Sequence, residues 1–407
     1  MTQSRIDILH AVTSPISLVL LRGQVAHLRS GGFQPAVLCG PGPQVEDWTA
    51  KESVPVFTVA MQREISPLRD LISLFRIWRL LRRLRLIVCN AGTPKAGLLV
   101  GVAAWLSRVP CRIYTLRGLR LETATGLKRR VLRLTERITC ACAHRVICVS
   151  PSLRQRAIEL GLVPSTKTVV LAAGSSNGVD PSRFMPTPQR LARAADLRRE
   201  LRIEPDRRVI GYVGRFTRDK GILELWEAFA LLRRRFANVV LLLVGSFEEG
   251  DAVSPELRRV IENDVDVRQV EFTNDVAPYY LLMDVFVLPT HREGFPNTVL
   301  EAQAAERPVI TTFATGAVDS IVDGVTGTIV PVQASAPLAD ALLALLTDPQ
   351  LAQRMGRAGR ERVVSQFRQE IVWEELAGLY REMLVQRKLP VPLPTEHKSR
   401  AICLEKS

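Results

Sequence analysis

Residues Arg207–Phe216 read RRVIGYVGRF, and they are followed by the turn TRDKG (Thr217–Gly221) and the run ILELWEAFALLRRR (Ile222–Arg235). A short β-branched run, a glycine-containing turn and an apolar helical period, in that order, are typical of a strand–turn–helix unit. Such units pack with parallel strands and with helices covering the sheet. The stretch is not a G-x-G-x-x-G, so it does not support a dinucleotide fingerprint. It predicts an α/β fold.

The same alternation of strand-like runs and helical patterns extends over the rest of the chain. In the first half the strand-like runs are RIDILHAV, PAVLCG, LRLIVCN, CRIYTL, HRVICVS and KTVVLA. The second half restarts the pattern with RRVIGYVGRF, VVLLLVG, VEFTN, DVFVLPT, RPVITTF and GTIVP. The run LVLLRGQVAHLRSGG predicts a helix that stops at Gly31-Gly32. We therefore predict two doubly wound, Rossmann-like domains with parallel sheets, facing each other across a cleft.

Composition places the domain boundaries. The stretch SSNGVDPSRFMPTPQ (175–189) is rich in Gly, Pro, Ser and Asn and has little apolar periodicity, which predicts a linker. The predicted order is an N-terminal domain over 1–180, a linker over 181–190 and a second domain over 191–365. A long helix over 366–388 could pack back on the N-terminal domain, and a Pro-broken tail over 389–407 is predicted to be flexible.

Charge is distributed unevenly between the halves of this 407-residue chain, whose net charge is +14. Residues 1–190 carry 27 Lys and Arg against 10 Asp and Glu, whereas residues 191–407 carry 28 against 31. A basic domain attracts the phosphates of lipids, nucleotides or nucleic acids, although a basic solubility surface has the same composition. Nucleic acid is disfavoured as a partner, because no helix-turn-helix, RNP or finger signature occurs.

Two basic helical segments lie in the first half. SPLRDLISLFRIWRLLRRLRL (66–86) places Leu68, Leu71, Ile72, Phe75 and Leu80 at helical spacing among several arginines. GLKRRVLRLTERITCACAHR (126–145) has a comparable basic pattern. Each segment fits a core helix with a solvated basic face, and each fits equally well a helix that docks on an anionic membrane surface.

The seven cysteines show no metal-binding spacing and no pattern typical of a disulfide framework, which indicates reduced, mostly buried thiols in a cytoplasmic protein. The N-terminus lacks the pattern of a signal peptide. The longest uninterrupted apolar run, AGLLVGVAAWL (96–106), is too short to span a bilayer. We expect a soluble or peripheral protein.

Three residues around TRDKG predict an anion site. Gly214 allows a ligand to approach the backbone, and Arg215 and Lys220 supply two cations at the end of the strand. Arginine can hold a phosphate with two parallel hydrogen bonds and lysine acts as a point charge, so the pair suits a diphosphate. Taken alone, the segment would equally fit a surface Arg and a loop Lys.

A second anion site is predicted in THREGFPNTVLEA (290–302), after the strand DVFVLP. Its turn, Gly294-Phe295-Pro296-Asn297, leads into a helix whose first amides and dipole favour an anion. Because a carboxylate repels phosphate, we expect Glu293 to contact sugar hydroxyls instead. Glu301 lies about five residues, or about 7 Å, into the helix, within reach of a ribose diol. An isolated E-x7-E would more often be a surface Glu followed by a helical Glu that caps the helix or pairs with Arg307.

These motifs together resemble the retaining glycosyltransferases of family 4, which have the GT-B fold, over about residues 5–385. The resemblance is closest to enzymes of bacterial capsule, O-antigen or exopolysaccharide synthesis. It is carried by TSPISLVLLRGQ, EISPLRDL, TPKAGLLVGVAAWLSRVP, RVICVSPSLR, GSSNGVDPSRF, GRFTRDKG, EGFPNTVLEA and ATGAVDSIVDGVTGTIVP.

The resemblance implies a role for each matching residue. Arg215 and Lys220 would bind the donor diphosphate and stabilise the leaving group, Glu293 would contact the donor sugar, and Glu301 would bind the ribose. The amides of the turn 294–297 would hold phosphate and sugar, and no metal or other cofactor would be needed. On the acceptor side the matching stretches contain Ser14, Lys95 and Arg117.

The chain departs from the family on that acceptor side. Cys89-Asn90-Ala91-Gly92 stands where relatives often have a His-x-His-like segment, and Thr115-Leu116-Arg117-Gly118-Leu119 stands where they often have His-Gly-Leu. Arg117 therefore either binds an acceptor phosphate or marks an altered or weak enzyme. The residues do not distinguish these alternatives.

The implied function is the transfer of a hexose or N-acetylhexosamine from a nucleoside-diphosphate sugar, with UDP expected, to a lipid-carrier-linked saccharide. Such an enzyme would be peripheral on the cytoplasmic face of the bacterial inner membrane. Two alternatives are a GT-B enzyme acting on a small sugar acceptor, or a nucleotide-sugar epimerase. A third is a non-catalytic GT-B relative that binds a nucleotide or acts as a scaffold.

Overall fold

The structure is a computed structural model that describes residues 6–62, 64, 66–271, 273 and 275–393. It divides into two compact units. The first unit comprises the chain up to Asn177 together with the segment that begins at Gln369, and the second comprises Gly178–Arg368. Both units are α/β with a parallel sheet, as the alternating sequence pattern predicts.

The first unit contains a sheet of seven parallel strands in the order β3-β2-β1-β4-β5-β6-β7. The strands are β1 Ile8–Ala11, β2 Pro35–Cys39, β3 Val56–Thr58, β4 Val88–Ala91, β5 Cys111–Leu116, β6 Arg145–Cys148 and β7 Thr168–Val169. The central strands are buried, as expected for a sheet covered on both faces. Strand β3 is missing from the six predicted runs, because it is a short edge strand that is only partly buried.

The helices of the first unit are α1 Gln24–Ser30, α2 Gln44–Glu52, α3 Pro67–Leu84, α4 Pro94–Leu106, α5 Gly126–Cys142, α6 Pro151–Glu159 and, from the C-terminal segment, α14 Gln369–Gln386. Three 3-10 turns accompany them, at Pro15–Leu21, Arg120–Glu122 and Ser165–Lys167. The single helix predicted for LVLLRGQVAHLRSGG is wrong. Gly23 has a φ of 74° and separates the turn Pro15–Leu21 from α1, and a side chain there would collide with Trp373.

Helix α14 packs on the first unit, against α1 and the sheet. Tyr380 and Leu376 lie in one buried cluster with Ile8, Phe33 and Ile113. Full burial of each large apolar side chain stabilises the folded state by about 1.5–3 kcal/mol. The C-terminal helix therefore supplies part of the hydrophobic core under β1 and β5.

The second unit contains six parallel strands in the order β10-β9-β8-β11-β12-β13. The strands are β8 Arg208–Val213, β9 Val239–Val244, β10 Val267–Val270, β11 Val285–Leu288, β12 Val309–Thr312 and β13 Gly327–Val330. The predicted strand VEFTN is shifted: β10 ends at Val270, and Phe272 and Asn274 lie outside the described residues. Counted from the first strand of each unit, both sheets share the order 3-2-1-4-5-6, the doubly wound topology.

The helices of the second unit are α7 Pro188–Glu200, α8 Ile222–Arg233, α9 Pro255–Asn263, α10 Ala277–Leu282, α11 Asn297–Ala304, α12 Ser335–Thr347 and α13 Pro349–Gln366. In the described residues a 3-10 turn at Pro181–Phe184 precedes α7, and further 3-10 turns lie at Arg218–Lys220, Glu249–Asp251 and Val318–Ser320. The long helix predicted over 366–388 begins at Gln369 instead, because α13 ends at Gln366 and the intervening Phe367 accepts a hydrogen bond from the amide of Val179 at 2.9 Å.

The predicted linker over 181–190 is part of the second unit, and the boundary between the units lies at 177/178 rather than at 180. Its polar residues cap local structure: Asp180 accepts from the amide of Ser182 at 2.9 Å, and Thr187 caps α7. Phe184 is fully buried and packs edge-on against Tyr280, with ring centroids 5.7 Å apart. Gly, Pro and Ser therefore serve here as caps and turns, not as a flexible spacer.

The tail over 389–407 is only partly described. Leu389 and Val391 pack against the core cluster of the first unit, and the amide of Leu389 donates to the carbonyl of Leu384 at 3.0 Å. The prediction of a flexible tail is therefore wrong for these residues, and 394–407 lie outside the described part of the chain. In the part that is described, no helix combines the length and apolarity that crossing a membrane requires.

Candidate active site

The carboxyl ends of β8 and β11 lie side by side, because the strand order of the second unit reverses between them. Ligands of doubly wound sheets bind at this switch point. The loop after β8 carries Gly214, Arg215 and Lys220, and the loop after β11 carries Glu293 and leads into α11. The two motifs singled out in the sequence thus meet at one place.

Lys220 and Glu293 form an ion pair between these two loops. Their side chains are only 15% and 14% exposed. The pair joins a cation predicted to bind diphosphate to a carboxylate predicted to contact the sugar. Each group therefore holds the other in position at the end of the sheet.

A second ion pair joins the residues directly before Lys220 and Glu293. Here the carboxylate lies in the loop after β8 and the cation lies in the loop after β11. Arg292 donates to the carboxylate of Asp219 at 2.7 Å. Asp219 also accepts from the hydroxyl of Thr217 at 2.6 Å, and its own carbonyl accepts from the amide of His291 at 2.8 Å. Burial raises the pKa of Asp219, but the hydrogen bond from Thr217 and the charge of Arg292 lower it by more, so this carboxyl stays ionised. Sequence reasoning missed both residues, because only the fold pairs them.

Arg215 lies beside this cluster, and its guanidinium donates to Glu248 at 2.8 Å. Its backbone carbonyl accepts from the hydroxyl of buried Tyr212 at 2.7 Å, which fixes the residue after Gly214. Gly214 has a φ of 153°, and a side chain on the facing Gly245 would collide with the Gly214 carbonyl oxygen. The positive φ therefore favours glycine at 214, and the close backbone approach requires glycine at 245.

Backbone contacts hold Glu293 from the other side. The amide of Glu293 donates to the carbonyl of Thr315 at 2.8 Å. Gly316 has a φ of 76°, and a Cβ there would lie 2.3 Å from the carbonyl oxygen of Gly294. The loop after β12 thus lies directly against the Glu293–Gly294 peptide, a contact that no motif in the sequence indicated.

Helix α11 begins directly after this turn, at Asn297, with Pro296 at its N-cap. The N-cap residue Pro296 makes no side-chain hydrogen bond to the first turn, and the N-terminus of a helix favours an anion. Phe295 is buried and its ring lies 5.2 Å from that of Phe367. Its side chain anchors the turn in the core, so of Phe295 only the backbone remains a candidate for contact with a ligand.

Glu301 is the fifth residue of α11 and accepts a hydrogen bond from the hydroxyl of Tyr280 at 2.8 Å. Burial raises its pKa to about 7, although the Tyr280 hydroxyl and the charge of Arg183 act in the opposite direction. Pairing of Glu301 with Arg307 is wrong, because Arg307 donates to the backbone carbonyls of Met283 and Ala305. The Glu301 carboxyl therefore changes its charge near neutral pH, and its contact with Tyr280 is separate from the Lys220–Glu293 pair.

A third contact joins His291, in the loop after β11, to Glu224, at the start of α8. The His291 Nε2 atom lies 2.9 Å from one carboxylate oxygen of Glu224, a buried residue in the first turn of α8. The other carboxylate oxygen of Glu224 is buried and has no hydrogen-bond partner among the described residues. The sequence contained both residues beside the predicted motifs, but nothing in their spacing indicated the pair.

The residues predicted to lie on the acceptor side, Ser14, Lys95 and Arg117, are at the carboxyl edge of the sheet of the first unit. Ser14 follows β1 and occupies the N-cap position of the turn Pro15–Leu21. Its side chain makes no hydrogen bond to the amides of that turn. Lys95 lies in the first turn of α4 and pairs with Asp70 of α3 at 2.6 Å. The charge of Lys95 is therefore neutralised inside the unit.

Arg117 follows β5 and is partly buried. Its guanidinium donates to the carbonyl of Gly92, which follows β4, and to the hydroxyl of Ser176. Burial lowers its pKa to about 10, so it remains a cation at neutral pH. Among the described residues no carboxylate forms an ion pair with it.

A buried polar network lies next to Arg117. Asn90 donates to the hydroxyl of Tyr380 at 2.7 Å and accepts from Thr115 at 2.8 Å. The same hydroxyl lies 3.2 Å from Nε2 of His10, whose pKa is lowered to about 3 by burial and by the charge of Arg117. The departures from the family pattern, Asn90, Gly92 and Arg117, are therefore arranged together at this edge.

In the residues that the structure describes, no group of three or more His, Cys, Asp or Glu side chains is arranged to hold a metal ion. Six of the cysteines, Cys39, Cys89, Cys111, Cys140, Cys142 and Cys148, are free thiols, and all but Cys142 are buried. Cys403 lies outside the described residues.

Two family models match the chain, one in each unit. Residues 18–174 match the model described as glycosyl transferase 4-like domain, and residues 194–362 match the model described as glycosyl transferases group 1. The second match contains the Lys220–Glu293 pair and α11.

Three known proteins are similar over nearly the full chain. The Staphylococcus aureus capsular polysaccharide biosynthesis glycosyltransferase CapM is 37% identical over 93% of this chain and 97% of its own. The Escherichia coli UDP-Gal:α-D-GlcNAc-diphosphoundecaprenol α-1,3-galactosyltransferase is 24% identical over 95% of this chain and 99% of its own. The crystal structure of Anabaena HepE in complex with UDP and glucose has a TM-score of 0.77 at 19% identity, covering 92% of this chain and 99% of that one. At that identity the structural likeness shows a common fold.

Proposed function

The chain belongs to the family 4 glycosyltransferases, enzymes with the GT-B fold, and on that premise we propose that it transfers a hexose or N-acetylhexosamine from a UDP-sugar to a lipid-linked saccharide. The proposed setting is the synthesis of a bacterial cell-surface polysaccharide, and the proposed outcome is retention of the anomeric configuration. The donor is supported by the relatives whose names include UDP or UDP-galactose.

The observation that carries this proposal is the Lys220–Glu293 ion pair at the switch point of the second unit. It lies beside Arg215 and directly before the start of α11. Two cations, a helix N-terminus and a carboxylate at one sheet edge suit a diphosphate joined to a polyol.

The ion pair also suggests how donor binding proceeds. The donor diphosphate would attract Lys220 away from Glu293, and the freed carboxylate would accept hydrogen bonds from sugar hydroxyls. As the bond between the sugar and the diphosphate breaks, negative charge grows on the leaving oxygen. Arg215, Lys220 and the first amides of α11 are placed to stabilise that charge, and removal of one such group typically costs about 10²–10³ in rate.

We propose that transfer proceeds without a metal ion, because these cations and amides can do what a divalent ion does in other sugar-nucleotide enzymes. Enzyme and donor treated with EDTA should therefore retain the full rate of transfer. Recovery of activity only on addition of Mg²⁺ or Mn²⁺ would contradict this part of the proposal.

The surface of the first unit supports the proposed lipid-linked acceptor and the proposed location at a membrane. Helices α3 and α5 both pack against α4. On α3, Leu68 and Phe75 are 79% and 58% exposed, and the arginines of both helices are exposed with them. Exposed apolar side chains flanked by cations suit the interface of an anionic bilayer. We place the enzyme on the cytoplasmic face of the membrane, next to a lipid-linked acceptor.

Transfer of radiolabelled sugar from a panel of UDP-sugars to the lipid fraction of bacterial membranes tests the activity. Wild type should label the lipid, and Glu293→Ala should lose nearly all transfer. Asp340→Ala is the matched control, because it breaks an exposed ion pair of the same unit. If Glu293→Ala transfers as well as wild type does, the site assignment is wrong. The anomeric proton coupling of the product tests retention.

Flotation with vesicles tests the membrane surface. Wild type should float with phosphatidylglycerol vesicles at low salt and not with phosphatidylcholine vesicles. Leu71→Asp combined with Phe75→Asp should abolish flotation. Val265→Asp, at an 81% exposed position of the second unit, should not change it. Equal flotation of all three proteins would count against this surface.

A further inference from the structure

Among the residues that the structure describes, Arg117 differs from other cations at the sheet edges in having no acidic partner. In the second unit Lys220, Arg215 and Arg292 each pair with a carboxylate, and at the edge of the first unit Lys95 does so as well. Arg117 donates only to neutral oxygens, those of Gly92 and Ser176. Within the described residues its Nη2 atom donates to no protein acceptor.

A partly buried cation of this kind loses part of its hydration, which is costly unless something compensates for it. Buried charges in proteins are normally paired with an opposite charge, because the loss of hydration is otherwise not offset. Two neutral hydrogen bonds hold the guanidinium in place without neutralising it. The charge is thus held ready for an anion that the protein does not itself supply.

The location of Arg117 indicates where that anion comes from. Arg117 follows β5, Gly92 follows β4 and Ser14 follows β1, so all three lie at the carboxyl edge of the first sheet. Ligands of doubly wound units bind at this edge. In the proposed function this unit receives the acceptor, so the bound anion belongs to the acceptor.

We propose that Arg117 binds an oxyanion of the acceptor, either the diphosphate of its lipid carrier or a carboxylate on its sugar. The assignment rests on the proposed function for the identity of the acceptor, and it makes Arg117 a determinant of acceptor specificity. Both oxyanions match the planar fork of a guanidinium, which can donate two parallel hydrogen bonds.

Gly92 is part of the same site. A Cβ at this position would lie 1.7 Å from Nη1 of Arg117, so only glycine leaves space for the guanidinium in its observed position. Substitution of Gly92 by alanine therefore displaces the charge without removing it. This gives a second variant that tests the position of the cation separately from its presence.

Binding to the full-length protein is measured by calorimetry in the background Arg215→Ala plus Lys220→Ala, which disables the proposed donor cations. Geranyl diphosphate probes the carrier diphosphate. Methyl glucuronide, compared with methyl glucoside, probes a sugar carboxylate. Each probe is titrated into the background protein, and into the same protein with Arg117→Gln, Arg117→Lys or Gly92→Ala added. Thermal unfolding confirms that each variant is folded.

At least one anionic probe should bind the background protein, and Arg117→Gln should weaken it by about tenfold or more, which corresponds to about 1.4 kcal/mol. Gly92→Ala should weaken it similarly, and Arg117→Lys should have an intermediate effect. The responding probe identifies the source of the oxyanion. Equal affinity in all variants, or no binding of either anionic probe, overturns the proposal. The calorimetry measures binding of the probes and not sugar transfer. Failure of the proposed function would instead appear in the radiolabel experiment, as a lack of label transfer by wild type.

Discussion

The two units share one strand order and one type of switch point, but they treat charge differently. In the second unit the cations Lys220, Arg215 and Arg292 each face a carboxylate of a neighbouring loop. In the first unit Arg117 is held by neutral oxygens alone, with no acid paired to it among the described residues.

The difference shows two ways of preparing a site for an anion. A paired cation is held in position by its partner, and the ligand has to displace that partner before it binds. An unpaired cation is held by hydrogen bonds and leaves its charge for the ligand. The first arrangement releases a carboxylate that can then contact the ligand, whereas the second releases nothing and selects only for negative charge.

The largest expected effect is the loss of Lys220, the paired cation that we propose binds the donor diphosphate. Lys220→Ala should reduce kcat for sugar transfer by about 10²–10³, because the leaving diphosphate loses a positioned charge. Steady-state transfer with a UDP-sugar and membrane acceptor measures it. Arg218→Ala, which breaks an exposed pair in the same turn, is the control and should change the rate little. A Lys220→Ala enzyme with a near-normal kcat would remove the catalytic role from the paired side of the comparison.

The Asp219–Arg292 pair should act as a positioning unit for its neighbours Lys220 and Glu293. Asp219→Asn and Arg292→Gln should each lower kcat by about tenfold, and the double variant should be little worse than either, since contacting residues are not additive. The donor KM should change less than kcat. Strictly additive losses would show that the two residues do not act through each other.

The pH dependence of donor binding should follow Glu301. Its pKa is raised from 4.5 to about 7 in the folded protein, so its neutral form predominates below pH 7. Ribose binding by the carboxylate then strengthens as pH rises, by about tenfold between pH 6 and pH 8 for a UDP-sugar, in proportion to the ionised fraction of Glu301. The same shift contributes stability below pH 4.5 that is lost as pH rises through 7. Calorimetry across this range measures the affinity.

Two variants sharpen the pH test. Tyr280→Phe removes the hydrogen bond that holds the pKa of Glu301 down, so the midpoint should move to higher pH. Glu301→Gln should bind more weakly and lose the pH dependence. A pH dependence that survives in Glu301→Gln would assign it to another group.

The two arrangements should also differ in how much each cation contributes to the stability of the folded protein. Arg292→Gln leaves buried Asp219 without its cation and should lower the free energy of unfolding by about 3 kcal/mol. Arg117→Gln removes a charge that had no acidic partner, so its effect should stay within about 1 kcal/mol. Denaturant unfolding of both variants gives the comparison. Equal losses of unfolding free energy would mean that the contacts of Arg117 stabilise the folded protein as much as an ion pair does.

Local sequence patterns predicted those parts of the site that depend on one segment. The strand–turn–helix units, the glycine after β8 and the helix start after Pro296 follow from residues close in sequence. The pairs Asp219–Arg292, Glu224–His291 and Gly92–Arg117 join residues that only the strand order brings together, so no spacing indicates them. The linker predicted over 181–190 is wrong for a different reason. Turn-forming residues have the same composition whether they cap helices or join domains, so composition alone does not distinguish the two roles.

Helix α14 has a consequence for the order in which this protein can be made. The strands of the first sheet are translated before the second unit, but the helix that covers them, with Tyr380 between His10 and Asn90, is translated after it. The second unit, Gly178–Arg368, is contiguous and complete before α14 emerges. The half made first is therefore finished last. A stop codon after Arg368 would leave the second unit whole and expose the apolar core of the first unit that α14 covers.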